Sequence, residues 1–297
     1  MNTSDSELRY QLAKELICTI EDTQATNVAI TGSVSKGCAS VNSDIEVNWW
    51  VCNFPFCWRD KHQWLKNELS WLLKIPEVSD LYIDSTPILD GSIWASFLYK
   101  GIWFEMGFQS ITHQSSIIDL AFAGETSSHD FLVSIEAIST CLILKSSGVL
   151  EQWKKRLLVY PPLLKLRLIQ DVQDECAFSP HLEACMSGSD SAQDLEHLVS
   201  NMHAFFRLLF ALNEKWEPNW KRVVAQMERL PLMPADIPIS DFNLDPHSNI
   251  DYFRRLVYNA LQRTLAIIPT ELRNHSIERA LGGVVSVSTS YGQDKLV

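Results

Sequence analysis

The sequence predicts an α+β protein, in which a segment of mixed helices and strands is followed by an all-helical segment. Two observations predict this class. Short β-branched and aromatic runs alternate with helical spacing as far as residue 128, and long helical patterns then extend to residue 281. Residues 282–297 carry small polar residues and no amphipathic pattern. We therefore expect an α/β domain over 1–128, a helical domain over 129–281 and a loose tail over 282–297.

In the first domain the elements follow one another in a clear order. Apolar residues recur at helical spacing over 6–22 and 58–74, which predicts two amphipathic helices. Strands are predicted by β-branched and aromatic runs at 27–31, 44–51, 80–84, 92–99 and 102–109. The last two strands are joined at Lys100-Gly101, as in a hairpin.

The second domain is predicted to be a bundle of helices. Helical spacing covers 130–146, 149–158, 161–177, 192–214, 218–229, 248–268 and 270–281. The breaks fall at residues that interrupt helices, namely Gly148, Pro161-Pro162, Ser187-Gly188-Ser189 and the proline-rich stretch 231–246.

The charge balance limits the classes of partner. The chain has 297 residues, with 25 Lys and Arg against 36 Asp and Glu, and its formal net charge is −11. Proteins that bind nucleic acid need basic stripes, so this acidic excess argues against a nucleic-acid partner. The same excess is compatible with a cationic small-molecule substrate.

Three features of the sequence bear on location. No stretch approaches the ~18 uninterrupted apolar residues of a membrane span, so no membrane association is expected. Residues 1–20 have no basic region ahead of an apolar core, so no secretory signal is expected. Seven cysteines, an odd number, indicate reduced thiols. Together these features predict a cytoplasmic protein.

Two carboxylates open the second predicted strand. In the string Ser43-Asp44-Ile45-Glu46 the acids are two residues apart on an extended segment, so both side chains point to one face. Such like charges repel each other unless a cation lies between them. Mg²⁺ takes carboxylate oxygens together with substrate phosphates as ligands. The spacing therefore predicts a magnesium site that receives a phosphate-bearing substrate.

A glycine-containing turn ends the first predicted strand. Gly32 and Ser33 close this strand, and a loop with Lys36 and Gly37 follows. Backbone N–H groups in such a turn, together with the serine hydroxyl, can hold phosphate oxygens. Gly32 lets the chain approach a phosphate closely, and Lys36 would add positive charge. The turn and the two carboxylates together predict a cradle for a metal–triphosphate complex.

The pattern of Gly32-Ser33, ten further residues and then Asp44-x-Glu46 resembles the signature of the DNA polymerase beta-type nucleotidyltransferase superfamily. The string Ser43–Glu46 is similar to that of small bacterial antibiotic nucleotidyltransferases of the kanamycin type. The superfamily adds a third carboxylate on a later strand, and Glu105 in Phe104-Glu105-Met106 fits that position. The helical half is similar to the second domain of the same small enzymes at Lys145–Gly148, Tyr160–Pro162, Leu209–Asn213 and Trp216–Lys221.

The resemblance implies a fold, a reaction and a set of site residues. The fold would be a small mixed sheet flanked by helices, followed by a helical bundle. The reaction would move a nucleoside monophosphate, AMP from ATP, to a hydroxyl of a small molecule and release pyrophosphate. Two Mg²⁺ ions would be held by Asp44, Glu46 and Glu105. The nucleotide would be bound by Gly32, Ser33, Lys36, Ser43, Lys145 and Lys221. Glu105 is the first choice for general base, and Glu136 is the alternative.

Several alternatives stay open at this point. A protein or a tRNA acceptor would use the same chemistry, although the acidic excess disfavours tRNA. A nucleotide-binding regulator without catalysis is a second class, against which the three retained carboxylates argue. The nucleobase, the acceptor and a homodimeric state are not fixed by the sequence. Five tryptophans are candidates to stack on a base or a flat acceptor, namely Trp49, Trp50, Trp58, Trp94 and Trp103.

Overall fold

A mixed sheet of six strands organises the first part of the chain. The computed structural model describes residues 3–19, 27–55, 58–84, 91–177, 192–242 and 249–274. The strands are β1 Asn27–Ile30, β2 Ile45–Val51, β3 Val78–Ile83, β4 Ile93–Tyr99, β5 Ile102–Ser110 and β6 Leu142–Lys145. Their order in the sheet is β3-β4-β5-β2-β1-β6. Strands β2 and β5 run parallel, and the other neighbouring pairs run antiparallel.

The described helices connect and cover these strands or form the second part of the chain. They are α1 Ser4–Cys18, α2 Gly32–Ser35, α3 Trp58–Glu68, α4 Ile111–Ala123, α5 His129–Thr140, α6 Val149–Arg156, α7 Pro162–Ala177, α8 Ala192–Leu212, α9 Val223–Met227 and α10 Ile250–Ala266. Short 3₁₀ segments lie at Leu69–Lys74, Trp220–Arg222, Ile239–Phe242 and Thr270–Leu272. None of the helices in these ranges is both long and apolar enough to cross a membrane.

The sheet has an apolar and a polar face, because side chains alternate along each strand. On the apolar face, α1 and α3 pack against the sheet, in a core that includes Leu16, Ile45, Val47, Leu65, Phe97, Phe104 and Phe108. The opposite face is called the polar face below. It carries Glu46 and Asn48 of β2, Glu105 and Gly107 of β5, and Trp94 and Ser96 of β4. The apolar face of the sheet is thus buried in the core, and the polar face carries carboxylate, amide and hydroxyl side chains.

The described residues group into two units. One unit comprises those of Met1–Leu120 and Val133–Val159, and the other those of Ala121–Leu132 and Tyr160–Val297. In the second unit α7, α8 and α10 surround a core of phenylalanines and aliphatic residues, among them Phe205, Phe206, Leu209, Phe253 and Leu261. The first unit extends beyond residue 128, where the sequence predicted a domain boundary, because β6 pairs with β1 and Val133–Val159 groups with the sheet.

The predicted α+β class is confirmed, since a mixed sheet with helices precedes a helical unit. One predicted helix, 130–146, is wrong at its C-terminal end. There α5 stops at Thr140, and Leu142–Lys145 forms β6, which pairs with β1. A short apolar run of this kind is compatible with either element, and here the free edge of β1 decides between them. The tail at 282–297 and the end of the predicted helix 270–281 lie outside the described residues.

Two further differences concern helices. The predicted helix 58–74 is α-helical as far as Glu68 and continues as a 3₁₀ segment to Lys74. The sequence reading missed α4, whose Thr and Ser residues hide its helical spacing. Burial of Ile117, Ile118 and Ala121 stabilises this helix in the folded protein.

Candidate active site

Two of the predicted carboxylates are direct neighbours on the polar face. Glu46 of β2 and Glu105 of β5 are register partners in the parallel pair, where neighbouring strands lie about 4.8 Å apart. Both side chains are partly exposed. Asp44 lies just before β2, two residues ahead of Glu46, and is also partly exposed. The sheet therefore brings Glu46 and Glu105 side by side, and Asp44 precedes β2 in the chain.

Gly32 lies directly against the Glu46 carboxylate. The backbone of Gly32 has φ +68°, in the left-handed region. A Cβ atom added there would be 2.5 Å from Cδ and Oε1 of Glu46 and 2.7 Å from Oε2. Any other residue would displace the carboxylate or the turn, so glycine is required on two independent grounds. The contact places the predicted phosphate-holding turn beside a predicted metal ligand.

A buried polar network supports Glu46 from the same side. The Asn48 side chain donates from Nδ2 to Oγ1 of Thr31 at 2.7 Å, and both residues are buried. Because this bond uses Oγ1 as an acceptor, the Thr31 hydroxyl hydrogen is free to point to Glu46, whose Oε2 lies 3.5 Å away. The backbone N–H of Thr31 also donates to the carbonyl oxygen of Glu46 at 2.9 Å. Thr31 and Asn48 therefore fix the position of Glu46.

The sequence reading missed Thr31 and Asn48, although one signal was available. Asn48 lies two residues after Glu46 and so shares the face of Asp44 and Glu46. Gly107 makes space for it, because an added Cβ on Gly107 would lie 2.5 Å from Oδ1 of Asn48. The pattern that identifies Asn48 is an amide side chain on the same strand face as the carboxylates, with a glycine at the register position on the neighbouring strand.

The loop before β2 is held by a residue from α1 that the sequence reading also missed. Arg9 is 2% exposed, and its Nε donates to the carbonyl oxygen of Ser43 at 2.8 Å. Its NH2 group donates to the carbonyl oxygen of Val41 at 2.7 Å. Ser43 is partly exposed, and its hydroxyl accepts from the backbone N–H of Ser40 at 2.9 Å. Ser43 thus shapes the loop through both its backbone and its side chain.

Lys36 is engaged in an ion pair within the first unit. Its ammonium nitrogen lies 2.7 Å from Oε1 and 2.9 Å from Oε2 of Glu136 on α5. The Lys36 side chain is 16% exposed and that of Glu136 is 7% exposed. The sequence suggested Lys36 as a phosphate ligand and Glu136 as an alternative base. The structure brings these two residues together, so the Lys36 ammonium group and the Glu136 carboxylate are each engaged in one ion pair.

The remaining predicted nucleotide contacts are dispersed. Ser33 is 7% exposed and lies in the first turn of α2, next to Gly32. Lys145 is on β6 and is a register partner of Val28, whereas Lys221 is exposed and belongs to the second unit. Asn213 caps α8 structurally, since its Nδ2 donates to the carbonyl oxygens of Leu209 and Leu232, each at 2.8 Å.

The tryptophans divide into core and surface residues. Trp49 and Trp50 are both 2% exposed, and Trp49 packs in the apolar core. Trp94 is partly exposed on the polar face, and Trp103 is 48% exposed. The side chain of Trp58 lies outside the described set. Of the four candidate tryptophans whose side chains are described, Trp94 and Trp103 are therefore the ones accessible to a ligand.

The carboxylate oxygens at this site are ligands of the type that Mg²⁺ prefers. Across the described ranges, no three His, Cys, Asp or Glu side chains converge as a ready metal centre. Mg²⁺ in nucleotide sites is commonly bound by one or two carboxylates together with substrate phosphates and water. Glu46 and Glu105, as register partners beside the Gly32 turn, match that description. The assignment of Asp44, Glu46 and Glu105 as one metal-binding set stays a prediction.

Comparison with known proteins does not determine the function of this chain, which is therefore inferred from the geometry of the candidate site. No protein-family model matches the sequence, and no curated protein matches it. Among solved structures, the chain is similar to a nucleotidyltransferase-like protein from Exiguobacterium sibiricum at 10% identity and a TM-score of 0.37, over 88% of this chain and 74% of that one. It is similar to the GLD-2/RNP-8 complex at 12% identity and a TM-score of 0.33, over 92% and 81%. Likeness at these scores carries no functional conclusion.

Proposed function

We propose that the protein is a Mg²⁺-dependent nucleotidyltransferase that moves a nucleoside monophosphate, AMP from ATP, to a hydroxyl of a small-molecule acceptor. The observation that carries this proposal is the pairing of Glu46 with Glu105 on the polar face, directly beside the Gly32 turn. This arrangement supports a site where carboxylates, metal and phosphates meet. The net charge of −11 favours a small acceptor over a nucleic acid.

In this proposal, different residues bind the phosphates, hold the metal ions and position the carboxylates. Backbone N–H groups at Gly32 and the hydroxyl of Ser33 hold phosphate oxygens of the triphosphate. Asp44, Glu46 and Glu105 would hold the metal ions, and these ions would neutralise the charge of the phosphates and of the leaving group. Thr31 and Asn48 keep the Glu46 carboxylate in position. Lys36 stabilises the turn through Glu136.

The transfer is an in-line displacement at the α-phosphorus. The acceptor oxygen forms the new bond to this phosphorus, while the bond from the phosphorus to the oxygen bridging to the β-phosphate breaks. Pyrophosphate leaves with that bridging oxygen. The proton of the acceptor hydroxyl passes to the Glu105 carboxylate, which is the general base in this proposal. Glu136 is a weaker choice, because both of its oxygens already contact Lys36.

The proposal is tested by pyrophosphate release. Purified protein with Mg²⁺ and each of the four labelled nucleoside triphosphates should release pyrophosphate when a panel of small alcohols is added. We expect Asp44→Asn to reduce turnover at least about 10²-fold, since transition-state charge stabilisation of this kind contributes on that scale. Asp80→Asn, on the exposed β3, is the matched control and should retain activity. Unchanged turnover in Asp44→Asn would refute the metal site, and no triphosphate binding in the presence of Mg²⁺ would refute the function.

A further inference from the structure

The start of α1 binds the loop that connects the Gly32 turn to Asp44. Residues 37–43 are called the connecting loop below, and they join the end of this turn to the residue before Asp44. The carbonyl oxygens of residues 37, 39, 41 and 43 each accept a hydrogen bond from Thr3 or Arg9. The backbone of the connecting loop is therefore held at every second residue by one end of one helix.

Two hydroxyl groups hold the middle of the connecting loop at Ala39, which is 2% exposed. Oγ1 of Thr3, the N-cap of α1, donates to the carbonyl oxygen of Ala39 at 2.8 Å. The backbone N–H of Ala39 donates to Oγ of Ser6 at 2.9 Å. Because the single hydroxyl hydrogen of Thr3 is used in this way, the Ser6 hydroxyl donates to Oγ1 of Thr3 at 2.8 Å. Both backbone groups of Ala39 are thus paired with side chains at the start of α1.

The two ends of the connecting loop are held by the same part of α1. The backbone N–H of Thr3 donates to the carbonyl oxygen of Gly37 at 3.2 Å. At the other end, the buried Arg9 guanidinium donates to the carbonyl oxygens of Val41 and Ser43 at 2.7 and 2.8 Å. A guanidinium group is planar and rigid, so these two bonds fix the positions of both carbonyl groups together. Since Ser43 is bonded to Asp44, the backbone of Asp44 is fixed as well.

The other half of α1 anchors the helix to the sheet. Ala13, Leu16 and Ile17 are buried in the apolar core. Thr3, Ser6 and Arg9 follow one another at intervals of three, so they line one side of the helix start. A helix that is anchored in the core at one half and bonded to the connecting loop at the other holds both loop ends in one rigid frame. It therefore sets how far Asp44 lies from the Gly32 turn.

We propose that Thr3, Ser6 and Arg9 are positioning residues for the metal–triphosphate site. They act through the backbone of the connecting loop and not by touching the substrate. The inference rests on the proposed function, because that function makes Asp44 a metal ligand and the Gly32 turn a phosphate holder. Groups that orient a metal ligand typically change metal affinity by about 10–100-fold when they are removed. By linkage, a bound ligand should in turn hold the connecting loop more firmly.

Mn²⁺ alone is the first probe, because it takes the same oxygen ligands as Mg²⁺ and its free form is measured by EPR. On the full chain, we expect Arg9→Lys to raise the Kd for Mn²⁺ about tenfold. Lysine keeps the charge but cannot reproduce the two forked hydrogen bonds. Ser6→Ala is the milder change, which removes only the acceptor of the Ala39 N–H and the bond to Thr3, and it should raise the Kd by a smaller factor. It provides the test if Arg9→Lys does not fold.

Leu16→Ala is the matched control on the same helix. It removes a fully buried side chain from the anchored half of α1, so it should lower the urea denaturation midpoint. The Kd of the folded protein for Mn²⁺ should stay unchanged. An equal rise of the Kd in Leu16→Ala and Arg9→Lys would show a general loosening of the helix and overturn the inference. Unchanged Kd values in both Arg9→Lys and Ser6→Ala would also overturn it.

Hydrogen exchange measures the linkage directly. In the wild type, ATP with Mg²⁺ should slow the exchange of the Ala39 amide, whose acceptor is Oγ of Ser6. In Ser6→Ala this amide should exchange faster, and ATP with Mg²⁺ should protect it less. Exchange of the Ala39 amide at the same rate with and without the ligand would contradict the coupling between the connecting loop and the site.

The two proposals fail in different measurements on the same samples. Triphosphate binding with Mg²⁺ that is equal in the wild type, Arg9→Lys and Ser6→Ala would refute the positioning role alone. Wild-type protein that binds Mn²⁺ but no triphosphate would refute the nucleotidyltransferase function, and the Mn²⁺ affinities of the variants would still decide the positioning role. Wild-type protein that binds neither would refute both proposals.

Discussion

At the scale of single residues, Gly32 controls how closely the turn approaches the Glu46 carboxylate. Its positive φ and the 2.5 Å distance from an added Cβ to the carboxylate are separate constraints on the same position. Gly101, in the turn between β4 and β5, has a similar φ of +78°, but nothing lies within 4 Å of its added Cβ. Substitutions at these two glycines therefore distinguish the effect of backbone strain, which both positions share, from the effect of contact with the Glu46 carboxylate, which only Gly32 makes.

Gly32→Ala is expected to lower both stability and nucleotide binding. The left-handed backbone alone should reduce the free energy of unfolding by about 1–2 kcal/mol, and the contact with Glu46 adds to that loss. Gly101→Ala should lose a similar backbone contribution and bind triphosphate normally. Urea denaturation and titration with ATP and Mg²⁺ measure the two quantities. If the two variants bound triphosphate equally well, Gly32 would have no place in the nucleotide site.

At the scale of elements, the ion pair of Lys36 and Glu136 ties the turn after β1 to α5. The two residues are 100 positions apart, and both side chains are largely buried. Removing one partner of a buried pair leaves an uncompensated charge, which costs far more than the pair itself contributes. The pair therefore fixes the turn relative to the helix, whether or not Lys36 also meets a phosphate.

A double-mutant cycle measures this connection. Lys36→Met or Glu136→Gln alone should lower the free energy of unfolding by about 3–5 kcal/mol, and the double variant should lose much less than the sum. The exposed pair of Arg156 and Asp119 is the control, with side chains 41% and 66% exposed. Its coupling should be about 0–1 kcal/mol. Additive losses at Lys36 and Glu136 would contradict the structural role.

The same variants test whether Lys36 binds a phosphate of the nucleotide directly or only positions the turn. If Lys36 only positions the turn, both single variants should weaken triphosphate binding to a similar degree. If Lys36 is a phosphate ligand, Glu136→Gln should strengthen binding because it releases the ammonium group, while Lys36→Met should weaken it. The occupied pair favours the first result. Titration of each variant with ATP and Mg²⁺ distinguishes the two by the sign of the change.

At the scale of the whole molecule, a cluster of two histidines, Trp220 and Glu217 in the second unit is expected to make stability depend on pH. The Trp220 ring stacks on the rings of both His203 and His129, and the His129 ring nitrogen Nδ1 lies 3.0 Å from Oε1 of the buried Glu217. Burial, followed by the nearby His129, lowers the pKa of His203 from its ordinary value of 6.5 to about 4. His203 is therefore neutral in the folded protein at neutral pH.

The sign of the pH dependence follows from this shift. Between pH 6.5 and about 4 the unfolded chain binds a proton at His203 that the folded chain does not. The free energy of unfolding should therefore fall as the pH is lowered through this range, and His203 should contribute no slope above it. His203→Gln should flatten the profile, whereas His113→Gln, at an exposed position, should not. Denaturation midpoints measured from pH 4 to pH 7.5 provide the test, and an unchanged slope in His203→Gln would contradict the assignment.

Local chemistry in the sequence was enough to predict part of this site. Gly32 needs a backbone conformation that only glycine adopts easily, and Asp44 and Glu46 share a face because strand side chains alternate. These properties depend on residues within one strand and one turn. The α+β class was also predictable, since it follows from hydrophobic periodicity along the chain.

Tertiary structure decided what no local pattern contains. The pairing of Glu46 with Glu105, the contact of Lys36 with Glu136 and the capture of Leu142–Lys145 by β1 all join residues far apart in sequence. Each depends on strand order and on the packing of helices, which arise from the whole chain and not from any segment. The sequence by itself thus determined the turn and its carboxylates. Only the fold determined which neighbours they meet, because non-local burial and pairing select one arrangement among many that the local pattern allows.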